Sequence, residues 1–116
     1  MYKRQDFETA NEIHFDTNNS EAMVIDTNGY VGIGNTNPGD FDGANAQRLV
    51  VGDGTGHDGM TIFSSGTDSG TIAFGDSASG AAAYAGRISY AHDTNAMSFY
   101  TGGNTCLLYT SPSPRD

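Results

Sequence analysis

Positive charge is scarce in this chain. Lys3, Arg4, Arg48, Arg87 and Arg115 are the only cations among 116 residues, against 14 Asp and Glu, and the formal net charge is -9. A protein that grips nucleic acid needs cations to neutralise phosphates, so no nucleic-acid partner is expected. Long apolar runs are missing too. No stretch reaches membrane-spanning length, and Met1-Tyr2-Lys3-Arg4-Gln5-Asp6 leads into no signal-peptide core, so no membrane insertion is expected. Tryptophan is absent, and hydrophobic residues make up only 36%. Cysteine occurs once, at Cys106, which excludes a disulfide framework. What fills the chain instead is Gly, at 16 residues, with much Asp, Asn, Ser and Thr. That mixture suits turns and polar strand faces and is poor for helices. At this length the chain holds at most one ordinary domain.

The last eleven residues, Cys106-Leu107-Leu108-Tyr109-Thr110-Ser111-Pro112-Ser113-Pro114-Arg115-Asp116, break with everything before them. Two of the three prolines and the cysteine fall here, and the glycine-rich alternation stops at Thr105. The string is similar to one reading frame of a transposon-based sequencing-library adapter, matching at every codon. Residues 106–116 are therefore expected to be an artefactual, disordered tail. On that reading the native portion has no cysteine and implies no redox compartment. On the same reading it is expected to be cut at Thr105, which leaves the true N- and C-termini open, Met1 included.

Over residues 12–105 the apolar residues fall in pairs at a spacing of two: Ile13/Phe15, Met23/Ile25, Val31/Ile33, Leu49/Val51, Met60/Ile62, Ile72/Phe74, Ile88/Tyr90 and Met97/Phe99. Such spacing puts both members on one face of a strand, because successive side chains alternate. Small or polar residues intervene at His14, Gly32, Thr61, Ala73, Ser89 and Ser98. Helical spacing recurs nowhere at length, so eight short strands, each with one buried face, are predicted. Turn chemistry separates them. Asn28-Gly29 marks a hairpin. Asn37-Pro38-Gly39 ends that hairpin's unit, since Pro38 has no N–H to donate. Ser65–Gly70 is expected to separate a pair of strands of similar sequence, Thr61–Phe63 and Thr71–Phe74. Ala81-Ala82-Ala83, bracketed by Gly80 and Gly86, is expected to be a loop.

The chain also repeats itself. Glu12-Ile13-His14-Phe15 followed by Ala22-Met23-Val24-Ile25 returns as Arg87-Ile88-Ser89-Tyr90 followed by Ala96-Met97-Ser98-Phe99. The second copy is one residue shorter between its halves, and a slip inside the turn would preserve each strand's face. The eight pairs make a thin core for a free monomer. Identical chains are expected to supply the missing burial and to cover the strand edges, and the expected partner is a homotrimer.

Three segments carry a family resemblance: Ala22–Pro38, which contains Gly32-Ile33-Gly34; Thr71-Ile72-Ala73-Phe74-Gly75-Asp76-Ser77; and Gly86–Tyr90 with His92 and Asn95–Gly103. Together they resemble the shaft repeats of phage tail fibre and tailspike proteins that end in an endosialidase-type intramolecular chaperone. Residues 12–105 carry the likeness and residues 1–11 form a poorly defined N-terminal segment. The resemblance implies an all-β fold of short antiparallel strands and hairpins, forming an elongated trimeric β-fibre or β-helical shaft. It implies a virion structural component supporting host attachment, with a host surface glycan or protein receptor met by distal regions of the fibre. The chaperone's self-cleaving Ser/Lys pair is not in this chain, whose only lysine is Lys3. Similar repeats occur in some bacterial surface proteins. A surface adhesin repeat and a fragment of a polysaccharide-cleaving tailspike are therefore the alternatives.

No catalytic, cofactor-binding or metal-binding residue is expected. Gly54-Thr55-Gly56-His57-Asp58-Gly59 matches G-x-G-x-x-G, but a dinucleotide site needs a helix to follow, and Met60–Phe63 reads as a strand. Asp53 and Asp58 echo a nonapeptide calcium repeat with no adjacent copy to complete the oxygen cage, which leaves calcium there open. The eleven aspartates lie mostly beside Gly, Asn, Ser or Thr, where Asp makes turns and not glycosidase pairs. His14, His57 and His92 lack ligand spacing and read as solvated. Ser64, Ser65 and Ser77 have no base placed by any motif.

Overall fold

A computed structural model describes residues 3–6, 11–102 and 104–108. The chain divides into two compact units, 1–60 and 61–116. Both are all-β. The first holds β1 (Lys3–Asp6), β2 (Ile13–Thr17), β3 (Ser20–Ile25), β4 (Val31–Ile33) and β5 (Leu49–Val51) in one five-stranded sheet, ordered as in the sequence. The second holds β6 (Ser69–Phe74), β7 (Gly86–Ala91), β8 (Ala96–Thr101) and β9 (Asn104–Leu108) in a four-stranded sheet. All neighbours pair antiparallel except β4 and β5, which run parallel. These are meanders, not the stacked parallel coils of a β-helix.

Asparagine and glycine make the hairpins close. Asn18 (φ 53°) and Asn19 (φ 63°) supply the left-handed pair that the two-residue β2–β3 loop demands. Between β3 and β4 the Gly29 N–H donates to Asp26 O at 2.9 Å, and the Asp26 N–H donates to Tyr30 O at 2.9 Å. The Asp26 carboxylate accepts the N–H groups of Asn28 and Tyr30, and Gly29 takes φ +79°. A side chain at Gly29 would strain that turn.

The internal repeat is real in register. Ile13 lies opposite Ile25 and Phe15 opposite Met23; Ile88 lies opposite Phe99 and Tyr90 opposite Met97. The one-residue slip is placed differently from expectation. Phe15 pairs Met23 but Asp16 pairs Glu21, so Ala22 forms a β-bulge inside the ladder. The repeat also extends to a third strand. β4 sets Ile33 and Val31 against Met23 and Ile25, and β9 sets Leu108 and Cys106 against Met97 and Phe99. The ladder thus runs through Cys106–Leu108, three residues past the predicted stop at Thr105. The rest of the tail, 109–116, lies outside the described residues, as does most of the N-terminal segment 1–11 apart from β1 and Asn11. Register explains the extension: Cys106-Leu107-Leu108 is an apolar run, so each position it meets along β8 receives an apolar residue.

Seven of the eight predicted pairs lie in strands. Met60/Ile62 does not: residues 52–64 form no ladder, and Met60 and Ile62 are exposed. The expectation of a strand there fails because apolar alternation needs an adjacent edge at the right register. Two further segments differ. Pro38–Ala44 is a 3-10 segment kinked at Phe41, with Pro38 fully buried at its start. Ala81–Tyr84 is a 3-10 turn where a loop was predicted, the alanines winding once before Gly86 opens β7.

The buried face of the first sheet is the unexpected one. Val24, at 1% exposure, is the one fully buried large hydrophobic side chain among the described residues. It shares its face with His14 and Gly32, opposite the predicted Met23/Ile25 face. The connection from β4 to β5 is responsible, because parallel neighbours need a long crossover and this one returns across that face. A Cβ built on Gly32 would collide with Asn35 O and lie 3.2 Å from Val24 Cγ1, so only glycine fits beneath the crossover. The predicted face, with Ile13, Phe15, Met23, Ile25, Val31, Ile33, Leu49 and Val51, stays half-exposed, and Leu49 reaches 51%.

Candidate functional site

His14 sits at the centre of the best-organised polar cluster. It stands on β2, and β3 brings Glu21 opposite through the Ala22 bulge. Nδ1 contacts Glu21 Oε2, and Nε2 lies 3.2 Å from Glu12 Oε2. Both ring nitrogens thus face carboxylate oxygens, an arrangement only the doubly protonated ring satisfies. The Glu21 hydrogen bond above all, with Glu12 assisting, raises the imidazole above its ordinary value against the opposing effect of burial. His14 is half-buried and ion-paired, not the solvated residue expected from sequence. The signal existed in Glu12 and in Glu21, but the bulge that aligns Glu21 is invisible without the register.

The glycine-rich stretch 52–59 is a turn-rich connection and not a nucleotide cradle. No helix follows Gly59. Gly52, Gly54 and Gly56 take φ of +105°, +83° and +73°. The Asp53 carboxylate turns back onto Thr55, accepting its hydroxyl at 2.7 Å and its N–H at 2.8 Å, and these bonds hold the carboxyl below its usual range. The Asp58 carboxyl packs beside Gly52, where a Cβ would meet its carbon at 2.5 Å. Asp53 therefore serves the local backbone, and Asp58 packs against it at Gly52. Among the described residues no three His, Cys, Asp or Glu side chains gather closely enough to share a metal ion.

The serines do turn work as well. Ser65 Oγ donates to Asp68, and Ser77 Oγ accepts the Ser79 N–H. Ser64 Oγ is buried with no partner among the described residues. His57 is exposed, and His92 meets the Tyr90 ring edge-on at 5.0 Å.

On the second sheet, one face carries a cation stacked on aromatics that sequence reasoning missed. Arg87 lies 3.8 Å from the Tyr100 ring centroid, its cross-strand partner, and 5.4 Å from that of Tyr84 on the 3-10 turn. Arg48 lies 5.5 Å over Tyr30 in the first unit. The Arg87–Tyr100 pair was readable once β7 and β8 were set in register. The opposite face is apolar, with Ile72, Ile88, Phe99, Tyr90 and Met97 in adjoining positions. An open groove of about 200 Å³ runs over it, bounded by Ile62, Gly70, Ile72, Ile88, Tyr90, His92 and Met97. Phe74 at the end of this face is 62% exposed.

No family model matches this chain, and no curated protein or solved structure does. The functional reading rests on these surfaces. They contain well-satisfied polar turns and two apolar sheet faces left partly in water.

Proposed function

We propose that this chain is a structural, non-enzymatic segment of the shaft of a trimeric phage tail fibre, holding distal receptor-binding regions away from the particle. One observation supports the reading most. Each unit presents a regular apolar sheet face to solvent, and Val24 is the one large hydrophobic fully buried among the described residues. A soluble monomer rarely leaves such faces open, whereas a chain that packs against two copies of itself covers them. The two hairpins in matching register suit a shaft, where one local unit recurs along an axis. The paucity of cations and the turn-bound carboxylates fit a scaffold in which polar residues finish loops.

Two measurements test the proposal. Sedimentation of the chain should give a species of three times its own mass, and a monomer across the accessible concentration range would overturn the trimer. Gold-labelled antibody raised against the chain should decorate fibres on virions. Labelling confined to a bacterial surface would move the assignment to an adhesin.

A further inference from the structure

The geometry points to a self-docking contact in which Phe63 of one copy enters the apolar groove over β6–β8 of the next. Phe63 is 96% exposed, the most exposed of the large hydrophobic side chains described. It belongs to a stretch, 53–64, whose backbone groups make no backbone hydrogen bond within the chain among the described residues, although Thr61-Ile62-Phe63 has the composition of a strand. The preceding residue behaves oppositely. Ile62 lies against the sheet, with its Cγ2 3.2 Å from a Cβ position at Gly70, and forms one wall of the groove. Gly70 is what lets it approach: a larger residue there would push the wall away.

Knob and hole thus sit one residue apart on the same unit. The remaining lining is Gly70, Thr71, Ile72, Ile88, Tyr90, His92 and Met97, and the volume of about 200 Å³ has room for one aromatic side chain. No carboxylate, lysine or arginine lines it, and His92 is its one basic side chain. In a chain of net charge -9 that matters, because copies repel over most of their surface and associate best where neither side is charged. Phe63 cannot enter the groove that its own neighbour bounds, so a second copy is the occupant that the pairing fits. Different patches meet in such a contact, which makes it heterologous, and it ends only by closing into a ring. Three copies, each giving one Phe63 and receiving one, satisfy every knob. Met97 lends the adaptable wall that an inserted aromatic ring favours. An aromatic anchor in a desolvated pocket is also how most interfaces concentrate their affinity.

The inference rests on the self-assembly in the proposed function, and the test separates the two. The full chain, carrying benzoylphenylalanine at position 63, is irradiated as a mixture of isotopically light and heavy copies. Mixed-isotope crosslinks should map to Ile72, Ile88, Tyr90 or Met97. Alongside it, Phe63→Ser should weaken association about tenfold or more by sedimentation, while Phe63→Leu retains most of it. If the chain assembles but crosslinks fall elsewhere, or Phe63→Ser associates normally, this contact is wrong and assembly stands. If every variant and the native chain sediment as monomers, assembly itself falls and takes the contact with it. At a dilution where the native chain is monomeric and still folded, Phe63→Ser should match its β-sheet signal by circular dichroism; a loss there would show that Phe63 serves its own unit and would overturn the contact.

Discussion

Val24 and Met23 are neighbours with different jobs. Val24 is sealed beneath the β4–β5 crossover, so Val24→Asp buries a carboxylate opposite an imidazole already clasped by Glu21 and Glu12 and should destabilise the first unit by several kcal/mol at any protein concentration. Met23 lies on the half-exposed face that the proposed assembly would cover, so Met23→Asp should act mainly on association and weaken any rise of the unfolding midpoint with concentration. Thermal melts of both variants across a concentration series check the distinction. Gly32→Ala belongs with Val24, because the new methyl collides with Asn35 O, and a loss of about 1–3 kcal/mol is expected in the same melts. His14 gives the residue scale its pH dependence. Its folded value lies above the ordinary 6.5, so the stabilisation from Glu21 and Glu12 is full below pH 6.5 and is lost as pH rises through the raised value. Glu21→Gln should flatten that decline, which melts from pH 5 to 9 would reveal.

At the scale of elements, the Ala22 bulge and the β9 ladder make the sharpest expectations. Deleting Ala22 should preserve the β2–β3 pairing, because Phe15–Met23 and Asp16–Glu21 already pair on either side of it, while losing the bond that its carbonyl accepts from the Gly34 N–H. Deleting Val24 should unfold the hairpin by inverting the faces of Met23 and of every residue before it in β3. Circular dichroism of the two deletions decides the point. Ending the chain at Thr105 should lower the midpoint of the second unit, since Met97, Ser98 and Phe99 then lose their partners Leu108, Leu107 and Cys106. The element scale is also where the sequence spoke most clearly. Alternation at Ile13/Phe15, Met23/Ile25, Ile88/Tyr90 and Met97/Phe99 carries both hairpins and their register, and Asn28-Gly29 carries a turn. It could not tell which face is covered, because that depends on a crossover whose path is tertiary. Met60/Ile62 alternates as well as any pair yet finds no edge. The candidate surfaces were legible in kind, as apolar strand faces, but the stacking of Tyr84, Arg87 and Tyr100 and the clasp on His14 required register.

For the molecule as a whole, stability should belong to the assembly more than to the chain. The thermal midpoint should rise with concentration, as it does when folding and association are coupled, and a midpoint independent of concentration would mean that each unit stands alone. The match between β4 and β9 reaches further than stability. In the first unit the third strand is Val31-Gly32-Ile33, and in the second it is Cys106-Leu107-Leu108, strings with no residue in common. Both fill the same register against a Met and the apolar residue next on its face. Pairing at these two edges, on β3 and on β8, thus follows register and apolar character and not residue identity, in the way a loom accepts any thread of the right gauge.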